Sequence, residues 1–128
     1  MTAIGRLKTR PEFLFVKGGA RFSTSSLVLQ ARQRQPAARS SAALVRFGFT
    51  ATKRLGGAVV RNRARRRLKE AVRLTAPELA VEGYDYVLIA RSGAVQRPFT
   101  ELIKDLERAL MKVHAPSAAG RHRKPPSE

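Results

Sequence analysis

Between Arg61 and Arg73 stand Arg61, Arg63, Arg65, Arg66, Arg67, Lys69 and Arg73, with Glu70 the only acid among them. A solvated helical face normally mixes charge signs so that residues four apart can pair, and here such pairing is nearly absent. Like charges at that spacing, such as Arg61, Arg65 and Lys69, destabilise a helix unless something neutralises them. The chemistry on offer is therefore recognition of a polyanion rather than the making or breaking of bonds. Arginine outnumbers lysine, and its planar guanidinium suits bidentate contact with phosphate and stacking on unpaired bases. A folded RNA fits those properties better than simple charge neutralisation does.

Other chemistry finds little support. His114 and His122 have no ligand spacing between them or to any acid, and read as incidental. No Gly-x-Ser-x-Gly turn, phosphate-cradling Walker loop or tight carboxylate pair occurs, and Glu78, Glu82 and Asp85 read as loop solubilisers. We expect no catalytic side chain and no protein-held metal. The absence of cysteine removes disulfide frameworks and thiolate metal sites, and points to a reducing, intracellular setting.

The chain has 128 residues, a length suited to one domain with a real core, and 43% of them are hydrophobic, too many for wholesale disorder. The net charge of +17 calls for a polyanionic partner, and it is unevenly placed. Residues 1–69 carry +16 and the remainder only +1, so the first half builds the electrostatic surface. The longest strongly apolar run, Tyr86 to Ala90, is far short of the roughly 20 residues that span a bilayer. No membrane association is expected, and the location expected is the bacterial cytoplasm.

The elements that must carry the arginines follow from periodicity. Thr9, Pro11 and Glu12 form a capping-box pattern, so a short helix should follow, ended by Gly18-Gly19 in the left-handed conformation. Residues 22–31 alternate, with Leu27, Leu29 and Ala31 on one face and Ser26, Val28 and Gln30 on the other, as in a half-buried strand. A polar loop over 32–41 should close a hairpin with a second strand, 44–51, in which Phe47, Phe49 and Ala51 oppose Gly48 and Thr50. The outer face there is a low track that a backbone or base could approach closely. A turn over 53–57 leads into a helix over 58–76, stopped by Pro77. On that helix Val60, Ala64, Leu68, Ala71 and Val72 share one arc, and Asn62, Arg65, Arg66, Lys69 and Arg73 share the opposite one. A buried strand over 84–91 and a core-packing helix over 99–114 complete the domain, 1–114, and the tail 115–128 is expected to be disordered.

The segment from Phe47 to Lys69, FGFTATKRLGGAVVRNRARRRLK, resembles the signature of the bacterial ribonuclease P protein subunit. Arg6-Leu7-Lys8 with Phe13 resembles that family's opening, and Tyr84 to Arg91 its fourth strand. The resemblance implies an α+β two-layer sandwich in the order helix, three strands, helix, strand, helix. Its four-stranded mixed sheet would contain a left-handed β-α-β crossover, which general chirality rules would not predict. It further implies a protein that assists a catalytic RNA, which with magnesium held mainly by that RNA removes the 5′ leader of precursor tRNA. Lys53, Arg54, Arg61, Asn62, Arg63, Arg65, Arg66 and Lys69 match positions that contact the catalytic RNA. Phe13, Val28, Gln30, Gly48 and Thr50 match a cleft for the single-stranded leader, although ordinary core packing is an equal reading of Phe13. The sequence departs from some relatives in this cleft, where aromatic positions are Val16 or Lys17 and Gln30. Ribonuclease P RNA and precursor tRNA are the implied partners, with no obligate protein partner.

Three readings compete. A structural RNA-binding protein, such as a ribosomal protein, would show the same charge and size. A DNA-binding module fits less well, because recognition helices keep polar, base-reading side chains and this face is almost wholly phosphate-seeking. A protein nuclease in its own right is the weakest, since it needs clustered carboxylates.

Overall fold

A computed structural model describes residues 4–35 and 45–115. The elements in chain order are β1 (Ile4–Arg6), α1 (Arg10–Lys17), β2 (Ala20–Ser23), β3 (Leu27–Gln33), β4 (Val45–Thr50), a 3-10 turn (Lys53–Leu55), α2 (Ala58–Leu79), β5 (Tyr84–Ala90), α3 (Gly93–Gln96) and α4 (Phe99–Val113). The sheet has five strands rather than four, ordered β1-β4-β5-β3-β2. The added strand is β1, too short for any periodicity to reveal, and it lies parallel to β4 with Ile4 opposite Val45. The expected strand over 22–31 divides into β2 and β3, an antiparallel pair with Phe22 opposite Leu29.

No hairpin joins β3 to β4. Strand β5 lies between them, antiparallel to β3 and parallel to β4, with Leu88 opposite both Leu29 and Phe49. Alternation fixed which face each residue occupies, but it carries no information about which strand is the neighbour. The β4-α2-β5 segment is the expected crossover between parallel strands. Loop residues 36–44 and the tail from 116 lie outside the described residues.

Strict alternation gives the sheet two different faces. Leu27, Leu29, Phe47, Tyr86 and Leu88 are fully buried on one face, beneath α2 and α4, where Ala64, Leu68, Leu102, Leu106 and Leu110 meet them. Val28, Gln30, Gly48, Asp85 and Val87 alternate onto the other face, toward α1. A smaller cluster of Leu7, Val16 and Val87, with Phe13, Phe15 and Ile89 against it, seats α1 there.

Local chemistry accounts for the helix ends. One carboxylate oxygen of Glu12 accepts the backbone N–H groups of Thr9 (2.9 Å) and Lys8 (2.7 Å), so the acidic half of the capping box is in place. Those N–H donors hold its pKa below the ordinary carboxylate range, aided by Arg46. Gly18 is right-handed at φ −80°, contrary to the sequence expectation. The glycine pair is needed for closeness instead, because a Cβ on Gly19 would collide with the Ala31 carbonyl oxygen. Helix α2 also runs past Pro77 to Leu79. A proline so near the C-terminus forfeits a single hydrogen bond, and the Ala80 N–H still reaches the Ala76 carbonyl at 2.9 Å.

Candidate nucleic-acid interface

The entry to α2 depends on Gly56, whose φ of 151° disfavours any side chain, and the helix then starts at Ala58. Ala64, Leu68, Ala71, Val72, Thr75 and Ala76 are buried, which confirms the docked arc and fixes the rotation of the helix. Val60, expected on that arc, is half-exposed in the first turns. Rotation alone therefore sends Asn62, Arg63 and Arg66 fully outward, with Arg61, Arg65 and Lys69 half-exposed at the margins. Lys53 and Arg54, on the 3-10 turn, are exposed beside the start of α2.

Among the described residues, none of Lys53, Arg54, Arg61, Arg63, Arg65, Arg66 or Lys69 has a carboxylate within ion-pair distance. Glu12, Glu70, Asp85, Glu101 and Asp105 pair with other cations. Asn62 Oδ1 accepts a hydrogen bond from Arg65 at 2.6 Å, which aims that guanidinium along the outer face. Arg61 Nε is buried with no hydrogen-bond partner. Lys69 has its pKa pushed down by burial, with Arg6 and Arg65 adding repulsion, so positive charge is concentrated without compensation.

Two arginines of the same run do other work. Arg67 turns inward and donates to the carbonyls of Ala94 (2.9 Å), Val95 (2.8 Å) and Arg97 (2.7 Å), satisfying the end of α3. Burial, and Arg63 beside it, push its pKa down. Arg73 pairs with Glu70 three residues earlier. The composition of the run could not separate these two from the outward set.

On the opposite sheet face the five predicted cleft residues fall on one side, but not as an open trough. Phe13 lies over Gly48, and a Cβ there would come within 2.6 Å of its ring, so the close approach that glycine permits is made by the protein itself. Val28 and Gln30 are 7% and 6% exposed, leaving Thr50, Phe13 and Ile89 as the half-exposed surface. Arg32 lies 4.3 Å above the Phe15 ring and donates to the Phe15 carbonyl at 2.9 Å, closing one end of this surface.

Beneath the start of α1 lies an ion cluster that sequence reading missed. Asp85 was expected to be a loop solubiliser, yet it is 1% exposed within β5. Arg46 grips it through Nε (2.9 Å) and Nη2 (2.7 Å), and Arg34 donates to the same carboxylate. Arg46 also reaches Glu12 at 3.1 Å, and its pKa is raised by the hydrogen bonds to Asp85. The signal available was a charge inside an apolar strand, since a buried acid requires a cationic partner.

His114 is likewise not incidental. The Tyr86 hydroxyl accepts the Val81 N–H at 2.8 Å and shares a 2.6 Å hydrogen bond with His114 Nε2. The imidazole stands edge-on to Tyr84, ring centroids 4.6 Å apart. Burial lowers the His114 pKa and raises that of Tyr86. A histidine whose folded pKa is depressed contributes stability that is fully present above its unfolded value, about 6.5, and is lost as pH falls below it. Thermal melts between pH 7.5 and 5.5 should therefore show a fall in Tm that is smaller in His114→Phe. Equal falls would separate His114 from the pH dependence.

Comparison with known proteins agrees with this geometry. The family model for ribonuclease P matches residues 1–114. The chain belongs to the ribonuclease P protein family. Its relatives include the ribonuclease P protein component of Ruegeria pomeroyi, 46% identical over 90% of each chain. That of Gluconacetobacter diazotrophicus is 48% identical over 84% of this chain and 89% of the relative. The fold matches the RNase P protein of Thermotoga maritima with a TM-score of 0.69, at 24% identity over 86% of this chain and 98% of that one. The Staphylococcus aureus RNase P protein gives 0.68 at 23% identity, covering 85% and 94%. Helix α2 and the strands around it thus carry the ribonuclease P signature on the family fold. Among the described residues no helix is long and apolar enough to cross a membrane.

Proposed function

We propose that this chain acts as the protein subunit of ribonuclease P, binding the catalytic RNA through the outward face of α2 and the leader of precursor tRNA beside α1, in the cytoplasm. The carrying observation is the uncompensated set Arg61, Arg63, Arg65, Arg66 and Lys69 on the outer face and margins of a helix whose opposite face is buried, with Lys53 and Arg54 exposed on the turn before it. Each phosphate neutralised there releases counterions, which favours binding to a polyanion and makes it salt-dependent. Asn62 serves by orienting Arg65.

Catalysis is assigned to the RNA. Among the described residues no three acidic or histidine side chains gather into a group that could hold a metal ion, and magnesium is commonly held by phosphates and water with few carboxylates, which suits an RNA-borne ion. The protein contributes affinity and positioning. The leader's place is the surface formed by Phe13, Gly48, Thr50, Val28 and Gln30. There the half-exposed Phe13 ring offers a stacking platform, and the buried Val28 and Gln30 support it from beneath.

The test is cleavage of a precursor tRNA by a bacterial ribonuclease P RNA at low magnesium, with and without the protein, mapping the 5′ end. Restored cleavage at the mature end supports the reading. Binding without any effect on cleavage would favour a structural RNA-binding role. For the leader, Phe13→Ala should weaken binding of precursor tRNA by roughly fivefold or more while leaving mature tRNA unchanged. Equal losses for both would make Phe13 a packing residue.

A further inference from the structure

A groove of about 240 Å³ lies between the edge strand β1 and α2, on the sheet face opposite α1. Ile4 and Arg6 form one wall, Lys69, Val72 and Arg73 the other, and Phe49 lies in the floor. It is separate from the leader surface, because Phe49 and Thr50 alternate to opposite faces of β4. We propose that this groove seats one unpaired nucleotide of an RNA strand, with its base against Phe49 and its phosphate between Arg6 and Lys69. The inference rests on the reading that α2 binds RNA, and it names what the inner margin of that face recognises.

Charge is the first argument. Among the described residues no carboxylate lines the groove, and Arg73 is already paired with Glu70, so Arg6 and Lys69 supply its free positive charge. Phosphate is the complement, and it would relieve the repulsion between them. The floor is the second. Lys69 Nζ lies 5.9 Å from the Phe49 ring centroid, the place a stacked base would take once a phosphate draws the ammonium outward. A duplex keeps its bases inside and would need only outward cations, whereas an apolar, aromatic floor between two cations suits a splayed base. The third is the strand edge. Among the described residues β1 pairs only with β4, so alternate N–H and C=O groups on its other edge are open to hydrogen bonds from a base.

The experiment uses the full chain with a short single-stranded oligoribonucleotide carrying 4-thiouridine, together with a duplex of the same length. Photocrosslinks should map to β1, Phe49 or Lys69. Phe49→Leu, which keeps an apolar floor but no aromatic ring, should weaken single-strand binding by roughly fivefold or more and leave duplex binding unchanged. Arg6 is exposed, so Arg6→Ala tests the phosphate contact with the fold intact. It should lower single-strand affinity and the salt slope by about one unit, while Lys104→Ala on α4 should do neither. Crosslinks confined to α1, with Arg6→Ala and Phe49→Leu without effect, would overturn the groove while leaving the α2 face standing. Failure of the wild-type chain to bind either RNA would overturn both.

Discussion

Replacing Asp85 by alanine is expected to lower the free energy of unfolding by about 3–5 kcal/mol, the cost typical of removing one partner from a buried charge cluster. Both Arg34, with a side chain 2% exposed, and Arg46, 21% exposed, donate to this carboxylate. Taking it away leaves positive charge in a low-dielectric place without its anion. Asp85→Asn keeps the shape and one acceptor, so its loss should be smaller. Because Arg46 also holds Glu12, the alanine variant should loosen the start of α1 as well. Urea unfolding with a two-state fit measures the change. A loss below about 1 kcal/mol would put the cluster in the class of solvent-exposed ion pairs.

The second large effect concerns RNA. Arg65→Ala together with Arg66→Ala should reduce the slope of log affinity against log salt by about 1.4–1.8 units, since each of the two phosphate contacts contributes roughly 0.7–0.9. Between 50 and 200 mM salt that slope change amounts to about a tenfold difference in affinity. Among the described residues Arg66 is exposed without an ion pair and Arg65 bonds only to Asn62, so the melting temperature should hardly move. Arg67→Ala should do the reverse, because its guanidinium serves three carbonyls around α3. An unchanged slope in the double variant would remove the outward face of α2 from the RNA contact.

Helix α2 and its two faces were legible because burial of small apolar residues at helical spacing is a strong, local signal: Ala64, Leu68, Ala71 and Val72 all fall inside. The strand-helix-strand order suggested the crossover, and the family motif supplied its left hand, which no periodicity contains. Partnership at a distance was hidden. That β5 separates β3 from β4 depends on pairings between segments dozens of residues apart, and both orders satisfy the same alternation. Asp85 and His114 were misjudged for a related reason. A lone acid or histidine acquires meaning from Arg46 or Tyr86, which only the fold brings near. The place of Arg67 on the helix keeps it out of the outward set, but its three carbonyl partners around α3 were not legible.

The central position of β5 bears on how the chain is made. Strands β3 and β4 emerge first during synthesis, yet each finds its main partner only in residues 84–90. Until those residues leave the ribosome, the sheet cannot close, while residues 1–69 already carry a net charge of +16 out of the chain's +17. The nascent chain is thus most adhesive to nucleic acid at the stage when it is least able to discriminate. The late strand therefore acts as the step that turns a sticky polycation into a shaped surface.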